Sequence, residues 1–430
     1  MKGIKHPKEL WPLSIAALTV RFAFWGIGNL LVLYLVGYYH FSVAKAAHAY
    51  GILTALSAFL PLIGGYLSDK WNYHTPPIIA IVLSALGCFL MAIQNESLMY
   101  VSIALLCCGF GLFVPSLFAI INNVYKKKKE IKEAGFSIFY TAFNLGAFLA
   151  FISIGYVSYA IGWTEAFILA GIVQLLGIFP LLFYLKIFHP KHAHIKKKEE
   201  EGKINEPMTK VAKGKLAVIG IFSFITIFYW SAYYQGWSSF SIFALKFTNK
   251  IIFGYTIPTA WILSLESFFI LLVSPILIKI YQYLEKRHKN PQPTIKLSLG
   301  LLFISFAFVV ITIGAIGITS TTQIANKSIW FLAITYFFIA ISEMLLAPIS
   351  LSSITHLSPK KYIALMIGVW YVCCGIAGYI GGLLAGLIQK FHSTSFFFSI
   401  FIWITLIPAI FLIIFSKKIN KMMNKKEKFE

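Results

Sequence analysis

Charge is scarce in this sequence. Aspartate, glutamate, lysine and arginine make up 12% of its 430 residues, aspartate occurs once, at Asp69, and hydrophobic residues reach 59%. Soluble domains carry about a quarter charged residues, so a water-facing globular body of this length is excluded. Cysteine is sparse too. Cys88, Cys107, Cys108, Cys373 and Cys374 all fall in apolar stretches, and neighbouring helical cysteines point to different faces, which favours packing over disulfides or metal binding. A cleavable leader is not expected, because the first apolar segment is too long and lacks a small-residue cleavage site. Ser-His-Asp sets, phosphate-binding glycine loops and metal-ligand clusters are missing from the apolar segments as well. Enzyme chemistry would have to rest on isolated glutamates, so no enzyme is expected. A passive scaffold finds no soluble interaction module to support it.

What the sequence has is apolar length. Runs of roughly 20 residues, enough to cross about 30 Å of hydrocarbon, begin near Trp11, Val43, Pro76, Leu98, Phe136 and Thr164, and again near Leu216, Ile257, Ile295, Ser328, Tyr362 and Thr394. They are continuous rather than alternating, which favours helices over barrel strands. The expected fold class is an all-α membrane protein with about 12 transmembrane helices in two six-helix bundles. The expected domains are an N-terminal bundle (1–185), a cytoplasmic basic linker (186–215) containing Glu199 to Glu201, a C-terminal bundle (216–416) and a cytoplasmic basic tail (417–430). Two such bundles with a site between them at the bilayer midplane are the plan of alternating-access carriers.

The net charge of +22 reads as topology rather than nucleic-acid binding. With both termini inside, only Lys45, Lys246, Lys250, Lys327 and Lys390 fall outside, and Arg21 lies within a span; the remaining lysines and arginine are cytoplasmic. Clusters such as Lys126 to Lys129 and Lys196 to Lys198 should meet anionic headgroups. Gly378, Gly382 and Gly386 form a small-residue stripe suited to close helix packing, and Pro115, Pro275 and Pro348 interrupt apolar runs.

Three ionisable side chains fall at bilayer depth: Arg21, Glu266 and Glu343. Charge there costs a few kcal/mol even on lenient scales, so it pairs, lines a wet cavity or meets a substrate. Glu343 suits a substrate ammonium, Arg21 a carboxylate through bidentate hydrogen bonds, and either glutamate can carry a proton. Permanent Arg21–Glu343 pairing is the structural alternative. Tyr140, Asn144, Gln235, Trp25 and Trp370 are expected to line the cavity by polar and cation–π contact, with helix packing as the competing reading. His48, near the outer end of helix 2, is a weaker candidate for proton transfer than for an ordinary headgroup contact.

Gly65 to Lys70, closing helix 2, resembles the helix 2/3 loop motif of the major facilitator superfamily, which implies that Asp69 and Lys70 gate the cytoplasmic side. Ser342 to Pro359, Phe139 to Gly146, Arg21 to Gly26, Gly368 to Trp370 and Trp230 to Ser239 are similar, in order, to motifs of the proton-dependent oligopeptide transporter family. The resemblance implies a secondary transporter of di- or tripeptides, Glu343 on the peptide amino group, no cofactor, and the proton as coupling ion. It also implies a monomer in a bacterial inner membrane. Several site residues depart from the family pattern. Ala17 and Val20 replace two acids, Val114 a lysine and Tyr234 a glutamate, while Glu266 stands where asparagine is usual. These losses keep open a uniporter or exporter of amino acids or organic cations.

Overall fold

The computed structural model describes residues 6–71, 75–125, 132–188, 210–287, 289, 291–358 and 363–424. Among the described residues, twelve helices are long and apolar enough to cross a membrane. They are α1 (Leu10–Gly37), α2 (Val43–Trp71), α3 (Thr75–Ala92), α4 (Glu96–Val124), α5 (Lys132–Ala160) and α6 (Trp163–Phe188) in the first half. The second half holds α7 (Lys213–Phe247), α8 (Thr259–Leu277), α9 (Pro293–Gly314), α10 (Trp330–Leu357), α11 (Ile363–Gly386) and α12 (Thr394–Met423). Even passage number puts the start of α1 and the end of α12 on one side, the terminal face. α12 runs past the tail boundary expected at 417, because Lys417, Lys418 and Lys421 interpose no breaker and lysines near a helix C-terminus oppose its dipole favourably. Most of the expected linker lies outside the described residues.

Hydrophobicity alone does not hold helices together in lipid; close packing and hydrogen bonds do. α2 and α11 pack against each other across the two halves. A Cβ on Gly382 would stand 2.6 Å from the Ala47 carbonyl oxygen and 2.7 Å from Gly51 Cα, and one on Gly378 would stand 2.5 Å from Thr54 Oγ1. The glycine stripe is thus a packing seam, in the half of the molecule away from the termini. α5 and α8 approach similarly, with Gly155 against the Ala260 side chain, and Phe151 of α5 stacks on Trp237 of α7 at 5.1 Å. Gly382→Leu should drive a side chain into the α2 backbone at Ala47 and Gly51. The expected result is a loss of about 1–3 kcal/mol, read as a lower Tm of purified protein, with transport lost.

α7 is irregular over its later part. It is α-helical to Tyr233, narrows to a 3₁₀ turn over Tyr234–Trp237, and widens to a π turn over Phe243–Phe247. Such breaks free backbone carbonyls that lipid cannot satisfy. Side chains satisfy them: Tyr336 Oη donates to Gly236 O at 2.8 Å and Ser238 Oγ to Tyr234 O at 2.8 Å. Beyond α7, on the face opposite the termini, Ile251–Ile252 and Tyr255–Thr256 form a small antiparallel ladder. On the same face Lys45 of α2 pairs with Glu96 of α4 at 2.6 Å.

Candidate transport cavity

Helices from both halves enclose one cavity of about 540 Å³. α1 contributes Arg21, Trp25 and Asn29, α5 contributes Phe143 and Asn144, α8 contributes Glu266, and α10 contributes Glu343. α7 and α11 add Trp230, Tyr233, Trp237 and Trp370. The α2–α11 and α5–α8 seams close the side away from the termini. In the other direction the lining continues to Phe118, Leu277 and Leu351, in the terminal-face halves of their helices. The cavity therefore extends toward the terminal face.

The three intramembrane charges converge here from helices far apart in sequence. Arg21 lies between two rings, its guanidinium carbon 4.7 Å from the Trp25 centroid and 4.6 Å from that of Phe143. That sandwich fixes the guanidinium plane. Across the cavity, Tyr233 Oη donates to Glu343 Oε2 at 3.0 Å. The same hydroxyl faces the Glu266 carboxyl, whose Oε1 has no hydrogen-bond partner among the described residues. Glu266 and Glu343 are 2% and 5% exposed. Asn29 Oδ1, Trp25 Nε1 and Trp230 Nε1 are likewise buried without hydrogen-bond partners among the described residues. Unsatisfied donors and acceptors lining one cavity are what a polar ligand or ordered water would satisfy.

Of the residues expected at the site, Arg21, Trp25, Asn144, Glu266, Glu343 and Trp370 line this cavity. Trp370 also ties α11 to α7, its Nε1 donating to Thr226 Oγ1 at 3.2 Å. Gln235 is placed elsewhere. Its amide donates to Ser231 O at 3.1 Å and Gly381 O at 2.9 Å, and its oxygen accepts from Ser239 at 2.8 Å, so the side chain is engaged in the α7–α11 contact. The side chains of Tyr140, Asp69 and Lys70 lie outside the described residues. His48 is exposed against Tyr379, 6.1 Å between ring centroids, and is not part of the cavity wall. Tyr233, Trp230 and Asn29 are cavity residues that sequence reasoning had not singled out as ligand contacts; aromatic residues in membrane helices are too common to flag. Val114 and Tyr234, two of the departures from the family pattern, also line the cavity, whereas Ala17 and Val20 are buried and are not among its lining residues.

The model of the POT family matches residues 77–211 and 185–404. The chain belongs to the POT family. It is 23% identical over 454 residues to a peptide transporter of Yersinia enterocolitica, covering 89% of this chain and 88% of that one. It is also 23% identical to dipeptide and tripeptide permease A of Proteus mirabilis, with 95% and 94% covered. A crystal structure of a mutant peptide transporter POT in complex with alafosfalin superposes with a TM-score of 0.87 at 22% identity, over 98% of this chain and 96% of that one. A POT family transporter in complex with 5-aminolevulinic acid gives 0.85 at 21% identity, over 98% of each. The fold is that of the major facilitator transporters, and the POT member described here is a multi-pass membrane protein of the transporter class, not an enzyme.

Proposed function

We propose that this POT member imports di- or tripeptides by proton-coupled alternating access, its terminal face cytoplasmic, in a bacterial inner membrane. The observation that carries the reading is the division of charge in the cavity: one ring-clamped guanidinium on α1, and two carboxyls on helices of the other half, Glu343 accepting from Tyr233 and Glu266 beside it. A short peptide is the complementary object, with a carboxylate at one end and an ammonium at the other. Apolar and aromatic walls accept varied side chains between the two ends, and a cavity of this volume is typical of small-molecule sites. The relatives named for peptide transport span nearly the whole chain, which supports the same substrate class.

Alternating access would run by rocking of α1–α6 against α7–α12 about the cavity, with the α2–α11 and α5–α8 seams opening as the terminal side closes. The excess of lysine on the terminal-face segments supports a cytoplasmic assignment and contact with anionic headgroups. Glu343 holds the peptide ammonium, and Glu266 and Glu343 are the proton carriers; no cofactor enters. A monomer contains the complete cavity. One charge moved inward across 100 mV yields about 2.3 kcal/mol, near a fiftyfold concentration ratio, so a single proton suffices for accumulation.

The test is uptake of labelled dialanine into proteoliposomes under an imposed pH gradient and, separately, an imposed potential. Saturable uptake that accumulates label when the lumen is the more alkaline side, and that collapses with a protonophore, is the expected result. Peptide flux that responds to the potential and ignores the pH gradient would overturn proton coupling. Absence of peptide flux in folded protein would overturn the substrate class.

A further inference from the structure

Pairing a peptide with this cavity leaves one group over. Arg21 answers the carboxylate and Glu343 the ammonium, yet Glu266 lies on the same wall as Glu343, 2% exposed, with Oε1 unpartnered among the described residues. The titratable and charged groups near it are Tyr233 from α7, Tyr50 from α2, Glu343 and Tyr336 from α10, and Arg21 from α1. Arg21 is the one cation among them, and it serves two carboxylates. A neutral peptide adds no net charge, so two carboxylates and one guanidinium leave the loaded cavity one positive charge short. Buried charge without compensation is costly. A proton can make up the deficit, and so can a second ammonium on the substrate. The geometry around Glu266 suits the latter: Tyr233 Oη faces its carboxyl, and the rings of Trp230 and Trp237 line the same cavity and favour a cation.

We propose that Glu266 forms a subsite for a second substrate ammonium, such as the side chain of an amino-terminal lysine, and that filling it replaces one coupling proton. Neutral and cationic peptides then cross with the same total charge, although their proton counts differ. This subsite rests on the peptide-transport reading above.

The experiment measures protons and peptide together, using a lumenal pH dye and labelled peptide in proteoliposomes at clamped potential, for dialanine and lysyl-alanine. Wild-type protein should carry about one proton fewer with lysyl-alanine than with dialanine, at equal charge per peptide. Glu266→Gln should erase that difference and weaken competition by lysyl-alanine against dialanine about tenfold, some 1.4 kcal/mol. Glu266→Asn gives the same readout if the glutamine variant is unstable, and the wild-type comparison needs no variant. Equal proton counts for the two peptides in wild type, or a difference that survives in Glu266→Gln, would overturn the subsite while leaving peptide transport intact. Absence of flux for both peptides would overturn the transport reading on which the subsite depends.

Discussion

Glu343→Gln is expected to abolish concentrative peptide uptake while leaving the protein folded and in the membrane. The side chain is 5% exposed, lines the cavity, and accepts a hydrogen bond from Tyr233 at 3.0 Å. Glutamine keeps the volume and an oxygen for that hydroxyl, so helix packing has no reason to change. What disappears is the negative charge. Breaking one side of a desolvated ion pair costs about 2–5 kcal/mol, so peptide affinity should fall by about thirtyfold to several thousandfold at 1.4 kcal/mol per decade. Two measurements separate this from a structural role: Tm of the purified protein and the KM for dialanine. If Glu343 served only to neutralise Arg21 permanently, removing it would strand a buried cation and destabilise the fold by about 3–5 kcal/mol. An unchanged Tm with uptake lost supports the substrate role. A wild-type KM in the variant would sink it.

The sequence makes these charges legible because of their background. In segments long enough to cross hydrocarbon, Arg21, Glu266 and Glu343 are the ionisable groups at bilayer depth, and the cost of placing them there is itself the signal. The twelve helices were legible for the same reason, since length and continuity of apolar residues decide them. Gly382 was legible as a packing residue, though not which helix it would meet; that required Ala47 and Gly51 to arrive from the other half.

What stayed hidden depends on direction around a helix axis. Gln235 sits in a stretch similar to a family motif, but α7 tightens to a 3₁₀ turn there, and three residues per turn rotate the amide away from the cavity and onto Gly381. Tyr233, two positions earlier, is aimed at the two carboxyls by the last regular turn. A periodicity of 3.6 cannot foresee that exchange. Likewise nothing in the composition marks Phe143 as a ring on Arg21, because phenylalanine is the natural filler of a membrane helix.

The Arg21 clamp carries the second large effect. Arg21→Lys retains the charge but loses the planar fork and the two ring faces that orient it, 4.7 Å from Trp25 and 4.6 Å from Phe143. Lysine offers a point charge on a flexible stem, which a carboxylate can approach in one contact rather than two. Peptide KM should therefore rise about tenfold to a hundredfold, the equivalent of roughly 1.5–3 kcal/mol for a charged hydrogen bond. The decisive comparison uses a dipeptide with an amidated carboxyl terminus. In the wild type, amidation should weaken competition against dialanine by a similar factor; in Arg21→Lys, amidation should matter far less, because the bidentate contact is already gone. Such a cycle isolates the pairwise energy between the guanidinium and the substrate carboxylate from any general effect of the mutation on the cavity. Penalties for amidation that are equal in the two proteins would mean that Arg21 acts on the cavity's charge balance alone and that the carboxylate is held elsewhere.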